Sequence, residues 1–400
     1  MPTYIWKGKN RYGDAVAGER LAGSADELTR ILQKEQIQIA SISLQRSGLK
    51  FLHLGERVKP KELAIYSRQL AVLIDAELPL IQSLNILAEQ TRNKYFKKVI
   101  KSVGEDVEAG SSLNQAKRKF PKVFDDLFCN LVASGEQSGS LDTMLKRLAD
   151  FIEKMVKLRS QVRQAMVYPA AIITFALIVA VFLLWKVIPI FGSIFAELGA
   201  RLPGITRGVL SLSGFIQSYI VYMVLAIVAG IFLFRYYRKT TAGRWSVDRA
   251  ALRIPILGKI LAKVAISRVT RTLSTLLSGG VSMLECLKIT STTAGNVILE
   301  KAVMDARRTV AEGRSLTESF QATGRFPFMM IQMVKVGEET GTLDQMLGRL
   351  ADFYDDEVSS SVAMLMSLLE PIMMIFVGGI VGGLILAMYL PMFSLMAQIQ

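Results

Sequence analysis

Three stretches of this chain carry no charged side chain, and each is long enough to cross a bilayer as a helix. They run from Ala165 to Trp185, from Gly208 to Phe234, and from Pro371 to the last residue, Gln400. At about 1.5 Å rise per residue, some 20 apolar residues span the ~30 Å hydrocarbon layer. A chain of 400 residues that is 51% apolar and 20% charged, with its apolar excess gathered in this way, is neither disordered, collagen-like nor a small disulfide scaffold. It is expected to be an all-α membrane protein.

The spans are placed at 165–190, 209–234 and 371–393, with a short outward loop over 191–208. Lys186 can snorkel to the far headgroups, and Pro189, Gly192, Glu197 and Arg201 mark the exit. Lysine and arginine set the orientation. Lys154, Lys157, Arg159 and Arg163 precede the first span, and Arg235, Arg238, Lys239 and Arg244 follow the second, while the loop between is nearly neutral. Both large polar regions and the N-terminus are therefore expected in the cytoplasm, with the C-terminus outside. The polar, mixed first forty residues do not resemble a cleaved signal, so insertion is expected to use the internal spans.

The chain also repeats itself. A shift of 202 places Gly135-Glu136-Gln137-Ser138-Gly139-Ser140-Leu141-Asp142 on Gly337-Glu338-Glu339-Thr340-Gly341-Thr342-Leu343-Asp344. It also places Arg147 to Phe151 on Arg349 to Phe353, Pro169 on Pro371 and Pro189 on Pro391. A shift of 203 matches the earlier part, Gly110 with Gly313 and Leu73 with Leu276. Each copy reads as about six amphipathic helices ending in a membrane helix, giving cytoplasmic domains at 60–164 and 256–369. Phe96, Val99, Ile100, Val103 and Val107 recur at helical spacing, as do Leu141, Leu145, Leu148 and Ile152. The second span has no partner in the other copy. Residues 1–50 differ in kind: Tyr4 to Trp6, Val16 to Leu21 and Ile37 to Leu44, with a Gly13-Asp14 turn and a helix seeded at Ser24 to Asp26, form a small α+β module. A charged linker follows.

Catalytic chemistry finds little to work with. Cys129 and Cys286 are too few for a disulfide framework or a four-cysteine zinc site, and the single histidine, His53, sits in the linker. No phosphate loop, dinucleotide fingerprint or nucleophile elbow occurs. No catalytic residue, cofactor or metal site is expected. The net charge of +14 invites nucleic acid, but both signs are interspersed along helices and no basic stripe interleaves with aromatics. Anionic inner-leaflet lipid accounts for the bias, and nucleic acid is not expected as a partner.

The sharpest local signature is the duplicated Gly-Glu-x-[Ser/Thr]-Gly-x-Leu-Asp element. It reads as a helix hairpin in which Gly135 and Gly337 end one helix with positive φ and Ser140 or Thr342 caps the next, ahead of Leu141 or Leu343. Gly139 and Gly341 belong to the same element. Glu136 and Glu338 are not required by such a turn and can face a partner. Glu370 precedes Pro371 inside an apolar stretch; the simplest reading puts the proline in the first turn of a helix and the carboxylate near its N-terminal dipole. Gly378, Gly379, Gly382 and Gly383 form two overlapping Gly-x-x-x-Gly pairs, which allow close packing against a span of this chain or of another copy.

Taken together, the duplicated Gly-Glu element, Leu368-Leu369-Glu370-Pro371, Pro255-x-x-Gly258 and Leu276-Leu277-Ser278-Gly279-Gly280-Val281 resemble the inner-membrane platform proteins of type IV pilus assembly and type II secretion. The resemblance runs from about Glu62 to Phe393. It implies a non-enzymatic platform in the bacterial inner membrane, with three spans and two cytoplasmic helical domains. The partners it implies are cytoplasmic hexameric secretion-type ATPases, pilin or pseudopilin subunits, other inner-membrane assembly proteins and further copies of the chain. Pro2-Thr3-Tyr4-Ile5-Trp6-Lys7-Gly8 is more similar to the pilus members than to the secretion members. In the first copy Ala76-Glu77-Leu78-Pro79 lacks the glycine that Gly280 supplies in the second, and the turn there is expected to differ. A transporter component is the remote alternative, since it would need more polar residues in the spans than Lys186 and Glu370.

Overall fold

The computed structural model describes residues 3–9, 15–21, 29, 38–44, 57–197 and 203–399. Strands β1 (Thr3–Lys9), β2 (Ala15–Leu21) and β3 (Gln38–Leu44) form an antiparallel sheet in the order β2-β1-β3, within a unit ending at Arg57. The helix seed at Ser24 to Asp26, the Gly13-Asp14 turn and His53 lie outside the described residues.

The second unit, Val58–Gln400, is helical. Its first copy holds α1 (Pro60–Asp75), α2 (Leu80–Gln90), α3 (Lys94–Glu108), α4 (Leu113–Arg118), α5 (Asp126–Ser138) and the long α6 (Leu141–Phe182). A π-helical turn, Leu183–Val187, leads into α7 (Ile188–Glu197), and α8 (Gly204–Tyr237) is the second span. After α9 (Thr241–Arg253), the second copy follows as α10 (Leu257–Ser278), α11 (Met283–Thr293), α12 (Val297–Ala311), α13 (Leu316–Thr323), α14 (Phe328–Thr340) and α15 (Leu343–Ile399). Three helices, Leu141–Ile194, Gly204–Tyr237 and Leu343–Phe393, are long and apolar enough to cross a membrane.

Local chemistry fixes the helix starts. The Asn93 side chain accepts from the amides of Tyr95 and Phe96, and Asp125 accepts from Phe128 at 2.9 Å. Side chains at helical spacing then build one continuous core through both copies, from Leu70, Phe96 and Phe128 to Val269, Leu287 and Phe320. The copies thus share one interior. They are joined where the Ser134 hydroxyl donates to the Gly279 carbonyl and the Arg147 guanidinium to that of Ser278.

The turn between α1 and α2 corrects an expectation. Glu77 stands at φ 60° and Gly280 at φ 74°, the same left-handed position in the two copies. The amide of Leu78 donates to Leu73 and that of Val281 to Leu276, each at 3.1 Å, so the turns match bond for bond. A side chain in this conformation costs roughly 1–2 kcal/mol, partly offset by the greater freedom of glycine when unfolded. Glu77→Gly should therefore stabilise the protein by about 0.5–1 kcal/mol, read as a raised thermal midpoint in detergent.

The long helices also run through prolines, two of which, Pro189 and Pro371, were expected to end or begin them. Pro189 lies inside α7, so the helix extends into the expected loop, and Pro371 and Pro391 lie inside α15. A proline has no amide to give its helix. After the π-helical turn, where Ile188 donates five residues back to Leu183, the carbonyls facing Pro189 are those of Leu184 and Trp185; the one facing Pro391 is that of Ala387, four residues earlier. All three accept from α8: the Ser213 hydroxyl donates to Leu184, Gln217 Nε2 to Trp185 at 2.9 Å and Thr206 Oγ1 to Ala387 at 2.9 Å. With the carbonyls before Pro189 and Pro391 satisfied in this way, the helices continue past these two prolines. Gln217→Leu should cost about 1 kcal/mol, and Thr206→Val a similar amount, in bicelle unfolding.

Candidate functional site

The duplicated Gly-Glu element can be built upward from its glycines. Gly139 and Gly341, at φ 67° and 70°, are the left-handed C-caps of α5 and α14. Gly135 and Gly337, expected in that role, lie one turn earlier within the helices, and their reason is space. A Cβ on Gly337 would stand 2.7 Å from Leu343 Cα, and one on Gly135 3.0 Å from Leu141 Cα. The missing side chain lets the next helix start directly against the last turn. The backbone obstacle is closer at Gly337 than at Gly135, so Gly337→Ala should destabilise by roughly 2 kcal/mol, whereas Gly135→Ala should be milder. Paired denaturation curves would rank them.

Ser140 stands at the N-cap of α6 without capping through its side chain, contrary to expectation. Its hydroxyl pairs with that of Ser138 at 2.6 Å, as Thr342 pairs with Thr340 at 2.7 Å. Leu141 and Leu343 pack partly buried against the shared core.

Glu136 and Glu338 require the largest correction. Glu136 accepts from the amides of Leu113 at 2.5 Å and Asn114 at 3.1 Å, while Ser112 Oγ accepts from Gln115. Glu338 repeats this with Leu316 at 2.6 Å and Thr317 at 3.0 Å, adds the Thr317 hydroxyl, and Ser315 accepts from Glu318. Each carboxylate therefore closes the N-terminus of the helix that lies before it in the chain, where free amides and the dipole favour an anion. The sequence reading left these glutamates free for a partner; the fold has already used them.

Glu370 is exposed, and Pro371 follows it in the interior of α15, so neither sits at a helix start and the dipole argument does not apply. Gly378, Gly379, Gly382 and Gly383 meet nothing: a Cβ on any of them would have no atom within 4 Å. No span of this chain packs there.

Sequence reasoning missed two ion clusters. Arg68 Nη2 reaches Asp150 and, at 2.7 Å, Glu153; in the second copy Arg271 reaches Asp352 at 2.9 Å and Asp355 at 2.6 Å. Lys154 of the first copy also joins Asp352, at 2.7 Å. The repeat shifts already aligned Asp150 with Asp352, so a search of each copy for its basic partner would have found them. Among the described residues, no group of three His, Cys, Asp or Glu side chains is placed to hold a metal. Burial pushes the Cys129 thiol up to about 11 and that of Cys286 up to about 12, leaving both unreactive near neutrality.

What the arrangement offers is mechanical. In both copies a helix rooted in the bundle by the Gly-Glu hairpin continues without a break into a membrane span. Comparison with known proteins finds the same unit twice: the family described as type II secretion system protein F matches residues 66–189 and again 269–391. Over 400 residues the chain is 40% identical to type IV pilus assembly protein PilC of Myxococcus xanthus, covering 99% of this chain and 96% of that one. It is 40% identical to type IV pilus assembly protein PilC of Thermus thermophilus over the full length of both. It is 32% identical to type II secretion system protein F of Pseudomonas aeruginosa over 99% of each.

Proposed function

We propose, from the premise that this chain belongs to the type II secretion system protein F family, that it is the inner-membrane platform of a type IV pilus machine. The observation that carries the reading is the pair of unbroken helices, α6 and α15, each joining a helical bundle to a bilayer span. Such a helix transmits displacement along its length, because it continues past its prolines and its base is locked into a packed core. A hexameric motor ATPase bound to the bundles would then shift the spans, and the spans would admit or release an apolar pilin helix. In this role the chain binds and couples, and performs no reaction of its own. The basic residues beside the spans support a cytoplasmic N-terminus and a periplasmic C-terminus. The greater identity to pilus than to secretion relatives favours the pilus pathway over the equivalent platform of a type II secretion system.

Tagged full-length protein purified from its own membranes should bring down a secretion-type ATPase and pilin, and deletion of its gene should abolish surface pili. A deletion strain that assembles pili at the normal level would overturn the reading. Lost exoprotein secretion with intact pili would assign the chain to the secretion pathway instead.

A further inference from the structure

The interface between the two copies is one-sided, and this has a consequence for assembly. The first copy contributes one face: Ser134 and Arg147 to the turn at Ser278 and Gly279, Lys154 to Asp352, and Leu158 to a cluster with Ile260, Val358 and Val362. Were the copies related by a two-fold, the same contacts would recur with the roles exchanged. They do not. The second-copy equivalents of the contributing face, Val336, Arg349, Asp356 and Ser360, are exposed, and Val336 keeps 43% of its surface. The first-copy equivalents of the receiving face, Asp75 and Ala76, are exposed as well. The arginines tell the same story: the side chain of Arg271 is 8% exposed and that of Arg68, its counterpart, 37%. Where Leu158 fills the second copy, the first copy has an open groove of about 520 Å³ lined by Lys61, Arg68, Val156, Lys157 and Ser160.

An interface with unlike halves leaves one of each half unused at the two ends of the chain, and such interfaces repeat until they close. We propose that the Val336, Arg349, Asp356 and Ser360 face of one molecule docks on the Asp75, Val156, Lys157 and Ser160 face of a second copy of this chain, so that the internal contact is repeated between chains.

Four observations favour a second copy over any other occupant. α6 and α15 pack in parallel, as the contacts of Lys154 with Asp352 and of Gln161 with Ser359 show. A second copy inserted in the same bilayer presents its own α15 in that direction. The exchange of residues between copies is matched on both sides: Val264 and Val362 of the filled groove become Lys61 and Ser160 in the open one, while Leu158 of the filling helix becomes Ser360. The charges agree in sign: Arg349 would join Asp75, which Lys146 already contacts, and Asp356 would come to the end of the groove where Lys157 lies beside the Arg68–Glu153 pair. The face also continues into the membrane. At about 100° per residue, Asp356, Ser360, Met364, Ser367, Gly378 and Gly382 fall within a stripe about 80° wide. Two of the four glycines that meet nothing in this chain, Gly378 and Gly382, are thus aligned with the docking face, where small residues allow close helix approach.

Cross-linking tests this without relying on the motor-docking reading. Two full-length chains with different tags, one Ser160→Cys and one Ser360→Cys, are co-expressed and oxidised in native membranes. A disulfide-linked species carrying both tags is expected, with little self-linking of either chain. Leu158→Cys with Val362→Cys in one chain controls for oxidation. Reversal by Arg349→Asp should lower the cross-link yield at least fivefold, and adding Asp75→Arg should restore much of it. Self-linked dimers in place of the mixed one, links only to a different protein, or no mixed product while the control closes fully would each overturn the proposal. Failure to recover an ATPase in the pull-down would leave this result unaffected.

Discussion

Lys117→Met is expected to make the protein more stable at neutral pH, and to remove a pH dependence that the wild type shows. Lys117 is fully buried at the end of α4, with Nζ lying 4.5 Å from the ring centre of Phe128, 5.2 Å from Phe124 and 5.3 Å from Tyr66, and without a hydrogen-bond partner. Burial lowers its pKa from 10.5 to about 7; Cys129 and Glu136, the other titratable groups acting on it, pull the opposite way. The unfolded chain therefore holds more protons than the folded one between about pH 7 and 10.5, so stability rises with pH across that window. The penalty near pH 7 is on the order of a few kcal/mol. Methionine keeps the length of the stem and drops the charge, and the second copy already places Phe320, also fully buried, at this position. Thermal unfolding of wild type and variant from pH 7 to 10 should show a gap of several degrees that narrows as pH rises. A gap that does not narrow would mean that the rings hold Lys117 as a cation.

Glu338→Ala should produce the largest loss. It strips the acceptor from the amides of Leu316 and Thr317 and from the Thr317 hydroxyl at a partly buried helix end. Charge-assisted bonds of this kind are worth roughly 1.5–3 kcal/mol each, and the unpaired amides add a desolvation cost. A net loss of about 3 kcal/mol is expected in denaturant unfolding, with α13, only eight residues long, first to lose protection from hydrogen exchange. Glu338→Gln should recover part of it. Glu136→Ala should lose slightly less, since Asn114 offers no hydroxyl to its carboxylate as Thr317 does to Glu338.

These two sites show what the sequence carried and what it did not. The spans were legible because the absence of charge over twenty residues has one physical reading, and the duplication was legible because both copies kept the same letters. The cap expected at Ser140 was not legible, because its hydroxyl is taken by Ser138 instead of a helix amide. Glu136 acts on amides more than twenty residues before it, which no spacing rule connects. Lys117 follows a helix pattern in which a lysine belongs to the solvent side, and only the aligned Phe320 hinted otherwise. Of two glycines four residues apart, the motif does not say which takes the left-handed turn and which makes room; that depends on where Leu141 and Leu343 come to lie.

The bonds from Gln217 and Thr206 to the carbonyls facing Pro189 and Pro391 bear on how a chain like this could have arisen. Duplicating a bundle and its span yields two proline-bearing helices, each with a backbone acceptor that lipid cannot serve. The segment that joins them serves both, one from its middle and one from its beginning. It is therefore not an interchangeable tether: an apolar helix of equal length without those two side chains would restore the topology and leave two acceptors stranded in hydrocarbon. By the same reasoning, a gene cut just after Tyr237 would leave the fragment after the cut without its own donor for Ala387, so that half would depend on meeting the other in the membrane.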